Sequence, residues 1–178
     1  MVFTVGHSTR PLDGLIALLQ AHGVTRVVDV RTIPRSRTNP QFNRDTFPDA
    51  LNAAGIEYTH LKGLGGLRHA GKDSLNTGWR NASFRGYADY MLTPEFEESL
   101  NEVIELAHHG RIAIMCAEAA PRRCHRSLLA DAQTVRGFAV EHIMSEARRE
   151  SHKLTEFARV RGTRITYPEP TEQLALEM

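Results

Sequence analysis

The chain has 178 residues, the length of one ordinary domain, and a formal charge of +1. Hydrophobic residues make up 41% and charged residues 24%, which excludes an intrinsically disordered chain. No apolar run approaches the roughly 20 residues that span a bilayer, so no membrane partner is expected. Two cysteines are too few for a disulfide scaffold, and residues 1–6 read as a strand without a basic leader. We therefore expect a cytoplasmic protein.

The first 61 residues alternate between apolar runs and amphipathic stretches. The predicted elements are a strand at 3–6, a helix at 11–22, a strand at 24–30, a helix at 46–54 and a strand at 56–61. Apolar residues at the i, i+3, i+4, i+7 spacing mark the first helix, and Gly23 ends it.

A long stretch without a sustained hydrophobic period, Lys62–Arg85, opens the second half of the chain. It holds five glycines and is predicted to be a functional loop. The remaining predicted elements are a helix at 94–109, a strand at 111–116, a helix at 124–136, a strand at 138–144, a polar helix at 145–160 and an edge strand at 164–167.

Repeated alternation of strand and helix indicates βαβ crossovers, and hence a mainly parallel sheet covered on both faces. The predicted fold is a single three-layer Rossmann-like α/β domain over residues 1–168. Residues 169–178 are predicted to be a loosely attached C-terminal tail.

Polar or ionisable residues follow four successive predicted strands. These sequences are Gly6-His7-Ser8-Thr9-Arg10, Asp29-Val30-Arg31, His60-Leu61-Lys62 and Cys116-Ala117-Glu118. In open parallel sheets, ligands bind beyond the carboxyl ends of the strands. We therefore expect the binding site at this end of the sheet.

Basic residues are concentrated in the same region. The segments 31–44, 62–85 and 117–126 hold 12 of the 22 basic residues and 2 of the 21 acidic ones, a net charge of +10. The rest of the chain has a net charge of −9. One explanation of this charge separation is that the basic residues are solvated in loops and have no binding role. Cations at strand ends also attract anions and grip phosphates, which favours an anionic ligand.

The segment 116–127 is densest in reactive side chains. Cys124–Ser127 opens a predicted helix, whose free N–H groups favour an anion that Arg126 could hold. Cys116, at a strand end beside arginines, is either a thiolate or a small buried hydrophobe. His125 is either a proton-transfer group or a packing residue.

Two acidic residues complete this group. Glu118 either orients a guanidinium or acts as a nucleophile or general base. Asp29 stands where nucleotide-binding folds keep a ribose-binding acid, but 6–10 is not a G-x-G-x-x-G loop. The sequence therefore indicates no dinucleotide cofactor. Tyr87, an aromatic residue among arginines, either stacks on a base or packs beneath the loop.

The same cysteines allow a zinc site. Cys116, Cys124 and His125 are zinc-ligand types, and His7 and His60 could join them. No C-x2-C or H-E-x-x-H pair supports this alternative.

Two further interpretations involve the loop after Cys116. The spacing from Cys116 to Arg122 matches the C-x5-R pattern of cysteine phosphatases and rhodanese-like enzymes. However, the intervening residues include no glycine, and Pro121 lacks an N–H for an oxyanion. A disulfide between Cys116 and Cys124 requires the loop to fold back, and in a reducing cell it would be regulatory.

The chain resembles a known family through several of these motifs. They are Thr4-Val5-Gly6-His7-Ser8, Asp29-Val30-Arg31 with Pro34 and Ser36, Leu64-Gly65-Gly66, the run from Phe84 to Met91, and Met115-Cys116-Ala117-Glu118 with Cys124-His125-Arg126. Together they resemble the family of domain of unknown function 488, from about Phe3 to Tyr167. The resemblance implies an α/β protein of prokaryotic cytoplasm and supplies no reaction.

We therefore expect a protein that binds a phosphate- or nucleotide-containing ligand at the strand ends, and the first hypothesis is that it is an enzyme of unknown reaction class. The candidate catalytic residues are His7, Cys116, Glu118 and His125. The candidate ligand-binding residues are Ser8, Asp29, Arg31, Arg85, Tyr87, Cys124, Arg126 and Ser127. The main alternative is a non-catalytic module that binds nucleotides or nucleic acid through the same basic face.

Overall fold

A central six-stranded sheet organises residues 1–170, the part of the chain that the computed structural model describes. Its strands are β1 (Val2–Gly6), β2 (Arg26–Asp29), β3 (Glu57–His60), β4 (Ile112–Cys116), β5 (Val140–Ile143) and β6 (Arg149–Ser151). They lie in the order β3-β2-β4-β1-β5-β6, and β6 alone among them runs antiparallel to its neighbour.

Helices cover both faces of this sheet. They are α1 (Leu12–Ala21), α2 (Phe47–Ala53), α3 (Ala82–Tyr90), α4 (Pro94–His108) and α5 (Arg126–Thr134). Leucines of α1 and α2 pack with Phe3 and Met115 on one face. Apolar residues of α3, α4 and α5 pack with Ile112 and Ile114 on the other. Successive strand residues thus face opposite cores, as buried parallel strands require. The predicted three-layer Rossmann-like α/β fold is confirmed.

The ends of the central strands are aligned by their register. Gly6 of β1 pairs with Cys116 of β4, and Asp29 of β2 pairs with Met115. From β1 the chain passes to α1 on one face of the sheet, whereas from β4 it passes to α5 on the other. A crevice opens where such connections diverge, and this is where doubly wound folds bind ligands.

The prediction of a polar helix at 145–160 is wrong. This stretch contains β6, which pairs with β5, and the strand β7 (Arg159–Arg161). Since most helical stability in proteins comes from packing an apolar face, a segment without such a face has little reason to be helical. Pairing with the open edge of β5 determines its conformation instead.

The strand at 164–167 was predicted at an edge of the main sheet, and this placement is also wrong. The strand β8 (Arg164–Thr166) forms a separate two-stranded hairpin with β7. The edge that it was expected to occupy is taken by β6.

The helix α3 lies partly within the stretch predicted to be a loop. Asn81 caps it by accepting hydrogen bonds from the N–H groups of Ser83 and Phe84. Gly86 in its middle weakens the helical pattern but lets the backbone approach Arg68, whose carbonyl oxygen would lie 2.3 Å from a Cβ at position 86. Tertiary contact therefore outweighs low helix propensity here.

Near its end the described chain remains attached to the loop at 77. The N–H of Glu169 lies 3.3 Å from the Thr77 hydroxyl oxygen. The rest of the predicted tail, 171–178, lies outside the described residues. None of the helices in the described part of the chain has the length and apolar character needed to cross a membrane.

A chain of buried hydrogen bonds ties the C-terminal segment to the sheet. Its members are Thr4, His142, His152 and Asp131, joined by contacts of 2.6, 3.0 and 2.7 Å in that order. At the end of this chain of contacts, the Asp131 carboxylate accepts from the Nε2 of His152. Burial, together with His152 and Arg126, lowers the pKa of His142 to about 4.

This neutral histidine makes the fold sensitive to acid. The unfolded chain binds a proton at His142 near the ordinary pKa of 6.5, and the folded protein does so near 4. The contribution of neutral His142 to the free energy of unfolding is therefore fully present above pH 6.5. It is lost as the pH falls towards 4, by up to about 3 kcal/mol. Urea unfolding at several pH values should show this loss in the wild type and a shallower loss in His142→Gln. Exposed His109→Gln is the matched control, and an acid limb in His142→Gln as steep as in that control contradicts the account.

Candidate functional site

A cavity of about 680 Å³ opens at the carboxyl ends of β1, β2 and β4, within the usual size range of small-ligand sites. Five segments line it, and their lining residues are His7–Thr9, Arg31–Ile33 with Arg35, Ser36, Thr38 and Asn39, Gly66–Leu67, Ser83–Phe84 with Tyr87, and Cys116–Ala119 with Arg123–His125. Within residues 1–170 the non-glycine residues with positive φ are Ser8 and Leu67, and both line it. Backbone strain of this kind concentrates at functional sites.

The loop after β4 crosses directly over the end of β1. The N–H groups of His7 and Ser8 donate to the carbonyls of Cys116 and Ala117, at 3.0 and 2.9 Å. Gly6 permits the crossing, because a Cβ at this position would lie 1.9 Å from the Glu118 carbonyl oxygen. This contact brings the first and fourth strand ends into one site.

Asp29 and Arg31 form a buried pair on one side of the cavity. The Asp29 carboxylate accepts from the Arg31 Nε and Nη2 at 3.0 and 2.7 Å, and from the Tyr58 hydroxyl at 2.6 Å. Arg31 also donates to the Phe42 carbonyl. Asp29 is 0% exposed and does not line the cavity, so its role is to orient the guanidinium of Arg31.

His7 is a neutral base in the cavity. Its Nδ1 lies 2.8 Å from the Ser8 carbonyl oxygen, and its Nε2 lies 3.4 Å from the Arg31 Nη1. A carbonyl only accepts and a guanidinium only donates, so Nδ1 carries the proton and the lone pair of Nε2 accepts from Arg31. Burial lowers the pKa of His7, and the positive charges of Arg31 and Arg126 lower it further, which keeps the ring neutral.

The two cysteines meet at the bottom of the cavity. The Sγ atoms of Cys116 and Cys124 are 2.8 Å apart, and both thiols are free. Cys116 is 3% exposed and Cys124 6%. The Cys116 Sγ also lies 3.7 Å from the Glu118 carbonyl oxygen. The loop between the cysteines does fold back, by way of a 3-10 turn at Pro121–Arg123.

Cys124 is the member of the pair that ionises. The hydrogen bond from the Cys116 thiol lowers the pKa of Cys124, and His125 and Arg126 lower it further, against the opposing effect of burial. The same contact and burial raise the pKa of Cys116. In addition, the N–H of Arg126 points at the Cys124 Sγ, at 3.5 Å. The thiolate of Cys124 is thus the anion at the N-terminus of α5.

Arg126 lies beneath the cavity rather than in it. It is 1% exposed and donates through Nη2 to the carbonyls of Glu118 and Ala119, at 2.8 and 3.3 Å. Among residues 1–170 no carboxylate lies within ion-pair distance of it, and its Nε has no hydrogen-bond partner. A buried cation needs a counter-charge. Cys124 is the thiolate whose pKa its charge lowers.

His125 completes the wall beside Cys124. Its Nδ1 lies 3.6 Å from the Cys124 Sγ, and its ring packs on Tyr87 with a centroid distance of 4.8 Å. Tyr87 is fully buried and donates to the Leu64 carbonyl, so it supports this wall. The His125 Nε2 has no partner in the described residues. It is available for a substrate atom.

The other predicted site residues are not all in the cavity. Glu118 is exposed and lines it, and its Oε1 accepts from the N–H of Ala120. Ser8 also lines it. Arg85 instead donates to the Trp79 carbonyl, and Ser127 donates to the Cys124 carbonyl, so both stabilise local backbone.

Several lining residues were not predicted individually. Arg35 and Arg123 belong to the basic segments, so charge alone was the available signal. Ile33 and Leu67 are 67% and 76% exposed, and they form an apolar rim with Phe84. Nothing in their spacing distinguishes them from other loop residues.

The geometry does not support two of the alternatives, the C-x5-R phosphatase pattern and the zinc site. Arg122 does not line the cavity, so the C-x5-R spacing does not place an arginine over Cys116. Within the described part of the chain no three His, Cys, Asp or Glu side chains gather as a metal site.

The family model described as Domain of unknown function DUF488 matches residues 11–133. The chain belongs to this family. The match contains Asp29, Arg31 and the whole of 116–127, and it begins after His7. Comparison with curated proteins and with solved structures gave no match. Membership of the DUF488 family therefore confirms the resemblance without supplying a reaction.

Substitution of Gly6 tests the crossing of the two strand ends. Gly6→Ala should destabilise the fold by at least about 2 kcal/mol, because backbone rather than a flexible side chain occupies the space. Gly14→Ala in α1 is the matched control, with only ordinary contacts to Pro11. It should stabilise the protein by about 0.5–1 kcal/mol. Equal urea midpoints for Gly6→Ala and the wild type contradict the crossing.

Alkylation by iodoacetamide tests the ionisation of Cys124. Peptide mapping should find Cys124 labelled before Cys116, at a rate that stays near its plateau down to about pH 6, where an ordinary thiol is almost all protonated. Cys116→Ala removes the hydrogen bond to Cys124 and should shift this profile to higher pH, whereas Cys116→Ser keeps a donor and should shift it less. Labelling of Cys116 first, or an ordinary thiol profile in the wild type, contradicts the assignment.

Proposed function

We propose that the protein is an enzyme that binds an anionic, nucleotide-like substrate in the cavity and uses the Cys124 thiolate as its nucleophile. The observation that carries this proposal is the position of Cys124. It lies at a helix N-terminus, lines the cavity, and has a lowered pKa caused by Cys116, His125 and Arg126. A low-pKa thiolate inside a cleft is typical of nucleophilic cysteines.

The cations of the cavity support an anionic substrate. Arg31, Arg35 and Arg123 line it. Arg31 is held rigidly by Asp29 and lies next to His7, whereas Arg35 and Arg123 are exposed. One fixed guanidinium and two exposed ones suit a phosphate group, which accepts several charge-assisted hydrogen bonds.

The rim of the cavity supports a substrate with an apolar or planar part. Ile33 and Leu67 are mostly exposed, and Phe84 is half-buried beside them. Exposed apolar side chains around a cleft favour a ligand that covers them. A phosphate joined to a base has both required parts, so a mononucleotide is the simplest probe.

The reacting groups have separate roles in this proposal. The Cys124 thiolate attacks the electrophilic atom of the substrate that carries a leaving group, the bond to that group breaks with its electron pair, and Cys116 positions the thiolate through the sulfur contact. The unprotonated Nε2 of His7, which accepts from Arg31 in the unliganded cavity, is the candidate base that takes a proton from the water that releases the substrate from Cys124. Glu118 is the second candidate base, since its carboxylate lines the cavity and is exposed to solvent. His125 offers a further polar contact through Nε2.

Binding and protection experiments test the proposal together. Adenosine monophosphate should raise the thermal midpoint more than inorganic phosphate or adenosine does, and it should slow iodoacetamide alkylation of Cys124. Arg35→Ala and Arg123→Ala should each weaken this binding by roughly tenfold, the effect of losing one charged hydrogen bond. Arg37→Ala, an exposed cation outside the cavity lining, is the matched control.

Three results would overturn this function. The first is that Arg37→Ala weakens binding as much as the cavity variants do. The second is that none of the anionic probes binds. Alternatively, a short oligonucleotide could bind strongly with a steep salt dependence while Cys124 remains unprotected. That last outcome assigns the basic face to a non-catalytic nucleic-acid-binding module.

A further inference from the structure

The contact between the two sulfur atoms has a use that nucleophilic attack on a substrate does not require. The Sγ atoms of Cys116 and Cys124 are only 2.8 Å apart, yet both residues are free thiols. One sits on the end of a strand and the other just before a helix, so two separate elements hold them together. A nucleophilic cysteine needs one sulfur, whereas this cavity presents a pair.

The pair is also chemically unequal. The environment lowers the pKa of Cys124 and raises that of Cys116. Cys124 therefore supplies a thiolate, while Cys116 stays protonated at its side. Reactive redox cysteines combine low pKa, access to solvent and a neighbouring resolving thiol. Both sulfurs line a cavity that opens to solvent.

We propose that Cys124 and Cys116 form a two-electron redox couple, in which a hydroperoxide oxidises Cys124 and Cys116 then closes a disulfide. This activity goes beyond the proposed function. It shares with that function only the thiolate state of Cys124.

The chemistry balances in two steps. With hydrogen peroxide, the Cys124 thiolate attacks one oxygen, the O–O bond breaks, and the leaving hydroxide takes a proton from solvent to become water, which leaves Cys124 as a sulfenic acid. An organic hydroperoxide releases an alcohol in place of this water. The Cys116 sulfur then attacks the Cys124 sulfur, the S–O bond breaks, and the Cys116 proton leaves with the hydroxyl as a second water. The two thiols lose two electrons, and the peroxide gains them.

Arg126 determines how readily the couple is reduced again. Disulfide formation removes the thiolate, and the buried guanidinium of Arg126 then has no carboxylate within ion-pair distance among residues 1–170. The oxidised form is destabilised relative to the reduced form, as in other dithiols whose reduced state is stabilised. Small thiols should therefore return the protein to its reduced form rapidly, and the disulfide also blocks Cys124 as a nucleophile.

Treatment with one equivalent of hydrogen peroxide tests the proposal. The wild type should lose both free thiols, its intact mass should fall by two hydrogen atoms, and dithiothreitol should reverse both changes. Cys116→Ser should stop at the Cys124 sulfenic acid and be trapped there by dimedone. Cys124→Ser should react at least roughly tenfold more slowly, because the protonated Cys116 is a poor nucleophile. Thermal melting confirms that each variant is folded.

The outcomes separate this proposal from the proposed function. Oxidation that leaves Cys116 free in the wild type overturns the couple, as does a disulfide between two molecules on a non-reducing gel. If peroxide does not react while Cys124 is still alkylated near pH 6, the couple alone is overturned. If neither reagent reacts there, the thiolate assignment fails, and both proposals fail with it.

Discussion

The buried guanidinium of Arg126 is the constraint on which the rest of the site depends. It is 1% exposed, and the described residues place no carboxylate beside it. Because an unpaired buried charge is strongly unfavourable, a neighbouring group must carry negative charge. Cys124 is that group: the hydrogen bond from Cys116, contact with His125 and the charge of Arg126 lower its pKa, and the N–H of Arg126 points at its sulfur. The ionisation of Cys124 and the stability of the fold are thus linked through one electrostatic pair.

The same guanidinium shapes the cavity from below. Its Nη2 holds the carbonyls of Glu118 and Ala119, so the loop after β4 turns back over β1. Gly6 leaves room for that crossing, and the strand ends that carry His7 and Cys116 meet there. On the opposite wall, Asp29 fixes Arg31 in the same way that Arg126 fixes the loop. Buried polar contacts beneath the cavity therefore set the positions of the groups that line it.

Much of this arrangement could be predicted from the sequence, because strand ends in a parallel sheet converge and their polar residues are easy to recognise. His7, Arg31, Glu118 and His125 all line the cavity or its wall. The direction in which a side chain points depends on tertiary contacts, which the sequence does not give. The sequence therefore predicts that Arg126 and Asp29 bind ligand directly, whereas both lie beneath the surface. The difference in pKa between Cys116 and Cys124 could not be predicted from the sequence either. It arises from the hydrogen bond between the two thiols and from His125 and Arg126, which come together only in three dimensions.

The ionisation of Cys124 is the most direct test of this account. Ultraviolet absorbance of the thiolate, recorded against pH for the wild type and for Cys124→Ser, follows the titration of Cys124 in the acid range, where Cys116 stays protonated. The account predicts a step in the difference curve well below the ordinary thiol range of about 8–9. A step within that range, or identical curves for the two proteins, would show that Cys124 is an ordinary thiol and that Arg126 is compensated in some other way.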